Sequence, residues 1–311
     1  MATSQKPIVV VGSINIDLVA KAERIPVAGE TVRGIDFQVH AGGKGANQAV
    51  AVARLGYPVE LIGKVGTDAF GDQALSSLQE AGVGMNAVER HDGTSGVAVI
   101  AVSPHGENSI VVVPGANAHV TPTFLEKHRE TIRRAGIVLT QLETPIDTLE
   151  HLANVCEEEE VPLMLDPAPA QELPEQLFRR LRWLTPNETE AAFLATQFSN
   201  IARGSEAAEI ADILLDKGVE SVILKMGSRG VCLATANTFF QMIPAFPVKA
   251  VDTTAAGDAF NGAFATALML GMEQVKAARF AVAAAAISVT RPGAQPSMPT
   301  RAEVEELLRS D

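Results

Sequence analysis

Cysteine is scarce: Cys156 and Cys232 are the two in 311 residues, far apart and without zinc-ligand spacing. That excludes a disulfide framework and a structural zinc site, and leaves each thiol as a small core side chain. There is no sustained Lys/Arg block and the formal net charge is −12, so neither a nucleic-acid surface nor an anionic-membrane surface is expected. No long uncharged apolar run suggests a bilayer span, and Met1–Pro7 lacks the apolar stretch and cleavage pattern of a signal peptide. The expected location is cytoplasmic, where the glycosylation pattern Asn187-Glu188-Thr189 has no meaning. The six histidines form no close pair, so no His metal cluster is visible. Repeats, linkers and low-complexity tracts are missing as well, and Glu157–Glu160 reads as a solvated helix end.

What is present suits one large globular domain, 47% hydrophobic and 20% charged. Short β-branched runs at Ile8–Val11, Glu60–Ile62, Ile137–Thr140, Pro162–Leu165, Ser221–Leu224 and Val231–Ala234 alternate with helical patterns at Gly45–Leu55, Asp72–Ala81 and Ala207–Lys217. This is the rhythm of a doubly wound, mostly parallel α/β sheet flanked by helices, whose ligands collect beyond the strand C-termini. Gly12, Glu143 and Asp166 each follow a predicted strand and mark that edge as the cleft. Two stretches break the rhythm: Leu18–Ala22 with Thr31–His40, and Ser95–Val102 with Ser109–Val113, read as strands without intervening helices. A small sheet outside the main one would satisfy them; a hairpin extending the main sheet is the alternative. Gly82-Val83-Gly84-Met85-Asn86-Ala87 imitates a dinucleotide-binding turn, but it follows a predicted helix end instead of a strand.

The richest segment chemically is Val251-Asp252-Thr253-Thr254-Ala255-Ala256-Gly257-Asp258-Ala259-Phe260-Asn261-Gly262. Small residues there precede an apolar helix predicted over Ala259–Leu270. A helix start leaves backbone N–H groups without internal partners and carries the positive end of the helix dipole, which stabilises a transferring phosphoryl group. Asp258 then sits where an acceptor hydroxyl can hand over its proton during attack. The competing reading makes Asp258 an N-cap and nothing more. Gly42-Gly43-Lys44-Gly45 opens another predicted helix, with glycines that permit close backbone approach to a ligand. It is not a Walker A motif, because the lysine is not followed by Ser or Thr. Asn187 and Glu190 have capping-box spacing after Pro186, and a helix end capped in this way is also a rigid anion platform. Gly227–Gly230 reads as a tight hairpin.

In order along the chain, Val11–Asp17, Ala41–Ala49, Gln141-Leu142-Glu143, Thr185–Glu190, Gly227–Gly230, Asp252–Asp258 and Thr290–Ser297 resemble the conserved blocks of the ribokinase family of carbohydrate kinases. The resemblance covers essentially the whole chain. The two-glycine motif is shared with fructokinases, adenosine kinases and 1-phosphofructokinases, whereas Gly-Gly-Lys-Gly-Ala-Asn-Gln-Ala points to the ribokinases. The resemblance implies a ribokinase-like α/β fold in one domain over residues 1–311. The small sheet becomes a lid, with strands inserted at about 15–41 and 94–113, which also implies a homodimer through the lid.

By the same resemblance Asn15, Asp17, Gly42, Gly43, Lys44, Asn47 and Glu143 bind the sugar, with Asp258 as base. Ala255, Ala256 and Gly257 form the anion hole. Asn187, Lys225, Met226, Gly227, Ser228, Arg229, Gly230 and Gly257 bind ATP, and Glu190 organises phosphate and Mg²⁺. Asp252, Thr254, Ser288, Arg291, Gly293 and Ser297 surround an activating monovalent cation, K⁺. Lys225 stands where the family carries Thr, and Val282 where a polar nucleotide contact is often found. The implied activity is ATP-dependent phosphorylation of D-ribose at O5. An acidic chain can hold ATP through local positive potential from helix N-termini, Lys44, Arg229 and a metal. A kinase for 2-deoxyribose or another small sugar, and a catalytically silent sugar- or nucleotide-binding regulator, are the alternatives; sugar-dependent ADP formation separates enzyme from binder.

Overall fold

Four consecutive buried aliphatic residues form the first strand, β1 (Ile8–Val11). A strand with no polar face needs cover on both sides. In the computed structural model, which describes residues 5–104, 107–199, 206–235 and 239–310, it has that cover. Met1–Ser4 and the centre of the expected 104–108 turn, His105 and Gly106, lie outside the described residues. The strands that follow are β2 (Asn15–Ala22), β3 (Gly34–Gly42), β4 (Val59–Gly66), β5 (Gly84–His91), β6 (Gly96–Val102) and β7 (Asn108–Val113). Then come β8 (Ile137–Thr140), β9 (Leu163–Leu165), β10 (Trp183–Leu184), β11 (Ser221–Lys225), β12 (Val231–Thr235) and β13 (Phe239–Ile243).

Nine strands make the main sheet, in the order β13-β12-β11-β10-β9-β8-β1-β4-β5. Pairing is parallel from β11 through to β5, and β12 and β13 add an antiparallel edge. Period-two alternation sends Ile8 and Val10 into one apolar core and Val9 and Val11 into the other. The helices are α1 (Lys44–Arg54), α2 (Ala69–Glu80), α3 (Pro122–Lys127), α4 (Arg129–Arg133), α5 (Ile146–Glu158) and α6 (Glu175–Phe178). They continue with α7 (Glu188–Thr196), α8 (Ala207–Leu215), α9 (Ala256–Met269), α10 (Gln274–Ser288) and α11 (Arg301–Ser310). Residues of α1, α9 and α10 fill the first core, and residues of α5, α7 and α8 the second. No helix among the described residues is long and apolar enough to cross a membrane.

A separate four-stranded sheet, ordered β3-β2-β6-β7, accounts for the two stretches that break the α/β rhythm. They do not extend the main sheet. The chain leaves the main sheet at Val11 and enters the small one at Asn15, so the two sheets meet at Gly12–Ile14. One face of the small sheet leaves Phe37, Val99, Val111 and Val113 exposed. The dinucleotide-like glycines are the approach to β5, an edge strand. Glu157 and Glu158 end α5 and are exposed to solvent as expected, in surface ion pairs of Glu157 with Arg180 and Glu158 with Arg129.

Candidate active site

Asn15 and Asp17 stand at the beginning of β2, where the chain has just crossed from one sheet to the other. The Asn15 side chain is buried, and its oxygen accepts from Asn117 Nδ2 at 2.7 Å. Asn117 also accepts from the Ile14 N–H at 2.9 Å and donates to the Ile14 carbonyl at 3.2 Å. That network fixes the Asn15 amide and leaves its Nδ2 to donate elsewhere. Opposite, β3 ends at Gly42, paired with Asn15 in register, and Gly43 precedes α1. Gly43 has φ 86°, and a Cβ there would lie 2.6 Å from the Asn15 nitrogen. Only glycine fits that turn without strain.

Helix α1 brings Lys44, Asn47 and Gln48 to the cleft. The Lys44 N–H donates to Glu143 Oε2 at 3.1 Å, and the Ser13 hydroxyl donates to the same oxygen. Burial, with Glu143 and Asp258 adding to it and Lys44 opposing, pushes the Asp17 carboxyl up to about 6. Burial by itself lowers the Lys44 pKa, but Asp258, Asp166, Glu143 and Glu190 outweigh it and raise it. The ammonium therefore stays charged among carboxylates.

Asp258 lies within the first turn of α9 and does not cap it. Ala255 holds the position before the helix, in the left-handed region at φ 58°, and no side chain caps that end. The N–H of Ala256 reaches back to the Thr253 carbonyl at 3.3 Å, whereas those of Gly257 and Asp258 make no hydrogen bond among the described residues. Asp258 Oδ2 accepts from Asn47 Nδ2 at 3.0 Å and Oδ1 from Gln48 Nε2 at 3.1 Å. The two helices can touch because of Gly262, one turn on, where a Cβ would meet the Ala51 Cβ at 2.6 Å and the Gln48 carbonyl at 2.9 Å. Burial raises the Asp258 carboxyl to about 6; Lys44 opposes it, Asp166 adds to it, and the two amide bonds oppose it.

On the far side of Asp258 opens a cavity of about 700 Å³. Lys44, Asp258 and Ala255–Gly257 form one end of it, Asn187, Glu190, Lys225, Gly227, Ser228 and Gly230 a polar wall, and Phe246, Val248, Val282, Ala286 and Val289 an apolar one. Asn187 and Glu190 form the expected capping box at the start of α7. Burial raises the Glu190 carboxyl, with Lys225 opposing. Met226 and Arg229 do not line the cavity: Met226 is buried and Arg229 pairs with Glu188 on the surface. Val282 belongs to the apolar wall, a dry surface suited to a planar ring.

A family model described as pfkB family carbohydrate kinase matches residues 5–301. The chain belongs to that family. Among its pfkB relatives, the ribokinase of Bacillus subtilis is 43% identical over 303 residues, covering 97% of this chain and 99% of that one. The deoxyribokinase of Salmonella typhimurium is 36% identical over 303 residues, covering 97% and 98%. The structure of the Arabidopsis thaliana ribokinase, complexed with ribose and ATP, superposes with a TM-score of 0.90 at 36% identity, covering 98% and 99%.

The loops expected around a monovalent cation in this pfkB chain are joined by Asp252, whose Oδ2 accepts from the Gly293 N–H at 2.8 Å and whose Oδ1 accepts from the Thr254 N–H at 2.9 Å and hydroxyl at 2.6 Å. Burial raises the Asp252 carboxyl, but those bonds prevail and its pKa is lowered. The Ser288 and Ser297 hydroxyls donate to the Ala285 and Ala294 carbonyls. The Arg291 guanidinium turns to Glu303, so only its backbone oxygen suits a cation. Three side chains at the cleft stand outside the expected set, Ser13, Gln48 and Asn117, and Asp166, expected only as a marker of the cleft edge, joins them. Gln48 and Ser13 lie inside motif segments, whereas nothing local in the sequence singles out Asn117.

Proposed function

We propose that the chain transfers the γ-phosphoryl group of ATP to O5 of D-ribose, giving ribose 5-phosphate and ADP. The observation that carries this reading is the place of Asp258. It stands between the cluster of Asn15, Asp17 and Glu143 and the 700 Å³ cavity, which it lines together with Lys44, at a helix start whose Gly257 and Asp258 amides have no partner among the described residues. A sugar held on the first side presents a hydroxyl to Asp258, and ATP filling the second places its γ-phosphoryl group at those amides. With a pKa of about 6 the carboxylate is ionised at neutral pH. It cannot strip an alcohol in the ground state, but it takes the proton as phosphoryl transfer makes that hydroxyl acidic. Those amides meet the charge on the transferring group. Lys44 offsets charge on the acceptor side.

Glu190 supplies a cavity-wall carboxylate whose oxygens suit a hard cation, and Mg²⁺ accompanying ATP would neutralise phosphate charge there. The carboxylate, hydroxyls and carbonyls of the Asp252 and Gly293 loops suit K⁺ in the same way, close to the start of α9. The exposed aliphatic and aromatic face of the small sheet fits a second copy of the chain. The assay that tests the reading is ADP release across a panel of sugars. Ribose-dependent ADP with a clear preference over 2-deoxyribose supports it. Equal or better use of 2-deoxyribose moves the assignment to the deoxyribokinases, and no sugar-dependent ADP at all removes catalysis.

A further inference from the structure

Asp166 follows β9 and Lys225 ends β11, with β10 between them in the sheet. Lys225 Nζ donates to Asp166 Oδ1 at 2.8 Å, and Asp166 is 3% exposed. The other oxygen, Oδ2, accepts from Gln48 Nε2 at 3.0 Å, and the same nitrogen donates to Asp258 Oδ1 at 3.1 Å. Gln48 Oε1 accepts from Gln141 Nε2 at 2.8 Å. A flipped Gln48 amide would aim oxygen at two carboxylates and nitrogen at a donor, so its orientation is fixed. A continuous chain of bonds therefore runs Lys225–Asp166–Gln48–Asp258.

Its outer end lies beside the helix start. Lys225 Nζ comes within 3.3 Å of where a Cβ on Gly257 would be, and Lys225 and Asp166 both line the 700 Å³ cavity. A buried ion pair is a weak device for stability, since apolar residues of similar volume do as well or better. A cation held at the mouth of a phosphate site is a functional device. Asp166 takes one of the three hydrogens of the ammonium, and two remain for phosphate oxygens.

We propose that Asp166 is a positioning residue for phosphoryl transfer, holding Lys225 against the phosphates on one side and, through Gln48, the Asp258 carboxylate on the other. This rests on the kinase reading above. It makes two demands that an ion pair serving only stability would not. Loss of the arm weakens ATP and not the sugar, because Lys225 faces only the nucleotide cavity. Loss of the Asp166 charge also makes Asp258 easier to ionise, because that charge is one of the groups raising it.

The test compares wild type with Asp166→Asn and with the double variant Asp166→Asn/Lys225→Met, which leaves no buried charge unpaired should the single variant fold poorly. Either folded variant is expected to raise KM for ATP about tenfold or more, the range for a charge-assisted hydrogen bond, with KM for the sugar nearly unchanged. In Asp166→Asn, which keeps the Lys225 charge, the acid limb of kcat/KM should move down by about half a pH unit or more. A lower Tm with both KM for ATP and the acid limb unchanged overturns the proposal and leaves a structural ion pair. If wild type releases no ADP with any sugar, the kinase reading fails separately. Calorimetry with ATP then decides for Lys225, and equal affinity in wild type and the double variant overturns the assignment.

Discussion

Replacing Asp258 by Asn should slow the enzyme and steady the fold. The carboxyl is buried and its pKa stands near 6 against an ordinary 3.8. About two units at about 1.4 kcal/mol each means that the ionised group costs the folded state about 3 kcal/mol. Above pH 6 both folded and unfolded chains carry the charge and the whole cost is present. As pH falls from 6 towards 3.8 the folded chain takes the proton first, wild type gains stability, and the cost vanishes below 3.8. Asparagine never carries that charge. It has one acceptor oxygen for the two donors Asn47 Nδ2 and Gln48 Nε2, and one lost bond costs about 1 kcal/mol. The net gain at about pH 8 is therefore about 2 kcal/mol, a rise in Tm of roughly 3 °C for a chain this long. Turnover should drop at least about a hundredfold. Thermal melts at about pH 8 and pH 4.5, with ADP release at the higher pH, measure both. A variant that melts below wild type at pH 8, or a Tm difference that does not shrink in acid, refutes the dry, charged carboxylate. Near-normal turnover by the folded variant removes Asp258 as base.

Because Asp17 and Asp258 both titrate near 6, kcat/KM for the sugar should fall below pH 6 and approach two decades per pH unit, the slope of two required ionisations. A flat profile down to about pH 5 contradicts this. Asp17→Ala should lower ribose use and narrow the gap between ribose and 2-deoxyribose, because a buried partner left unpaired is what rejects the missing hydroxyl; an unchanged ratio of kcat/KM values counts against Asp17 as a sugar ligand. Gly262→Ala forces a methyl against Ala51 and the Gln48 carbonyl, and should cost about 1–3 kcal/mol with a loss of turnover, read from melts and ADP release. Unaltered melting would mean that α1 and α9 do not depend on that contact. Exchanging K⁺ for a bulky organic cation at fixed ionic strength should lower activity, and equal rates would exclude the Asp252 and Gly293 loops as a cation site.

The main sheet was legible because its strands are runs such as Ile8–Val11, which have no polar face to lose. Helix α10 gave no amphipathic signal because residues such as Ala278, Ala281 and Ala283 bury it almost all round, and β10, only Trp183–Leu184, is too short to show a period. The small sheet showed itself as strands without helices, yet its pairing of β2 parallel to β6 depends on residues some 80 positions apart. Motif order carried Asn47 and Asp258 into one expected site. It could not show that Gln48 bridges Asp258 to Asp166, since those partners are 210 and 118 positions away. Nor does a sequence announce a left-handed alanine at 255, where glycine would be the usual choice. Arg229 had the right charge for a phosphate, but an exposed carboxylate, Glu188, claims it first.

The crossing from Val11 to Asn15 divides labour along the chain itself. The acceptor-side groups Asn15, Asp17, Lys44 and Glu143 all come from the first half, and the cavity wall from Asn187 to Val289 from the second. The halves meet where Asn47, Gln48 and Ala51 of α1 press on Asp258 and Gly262 of α9. A chimera that exchanges the N-terminal portion for that of another family member can thus be given a new acceptor while keeping the same donor machinery. Its success turns on matching the α1–α9 contact, the β8–β9 pairing and the Gln48–Asp166 bond, which makes acceptor choice a trait this architecture leaves open to recombination.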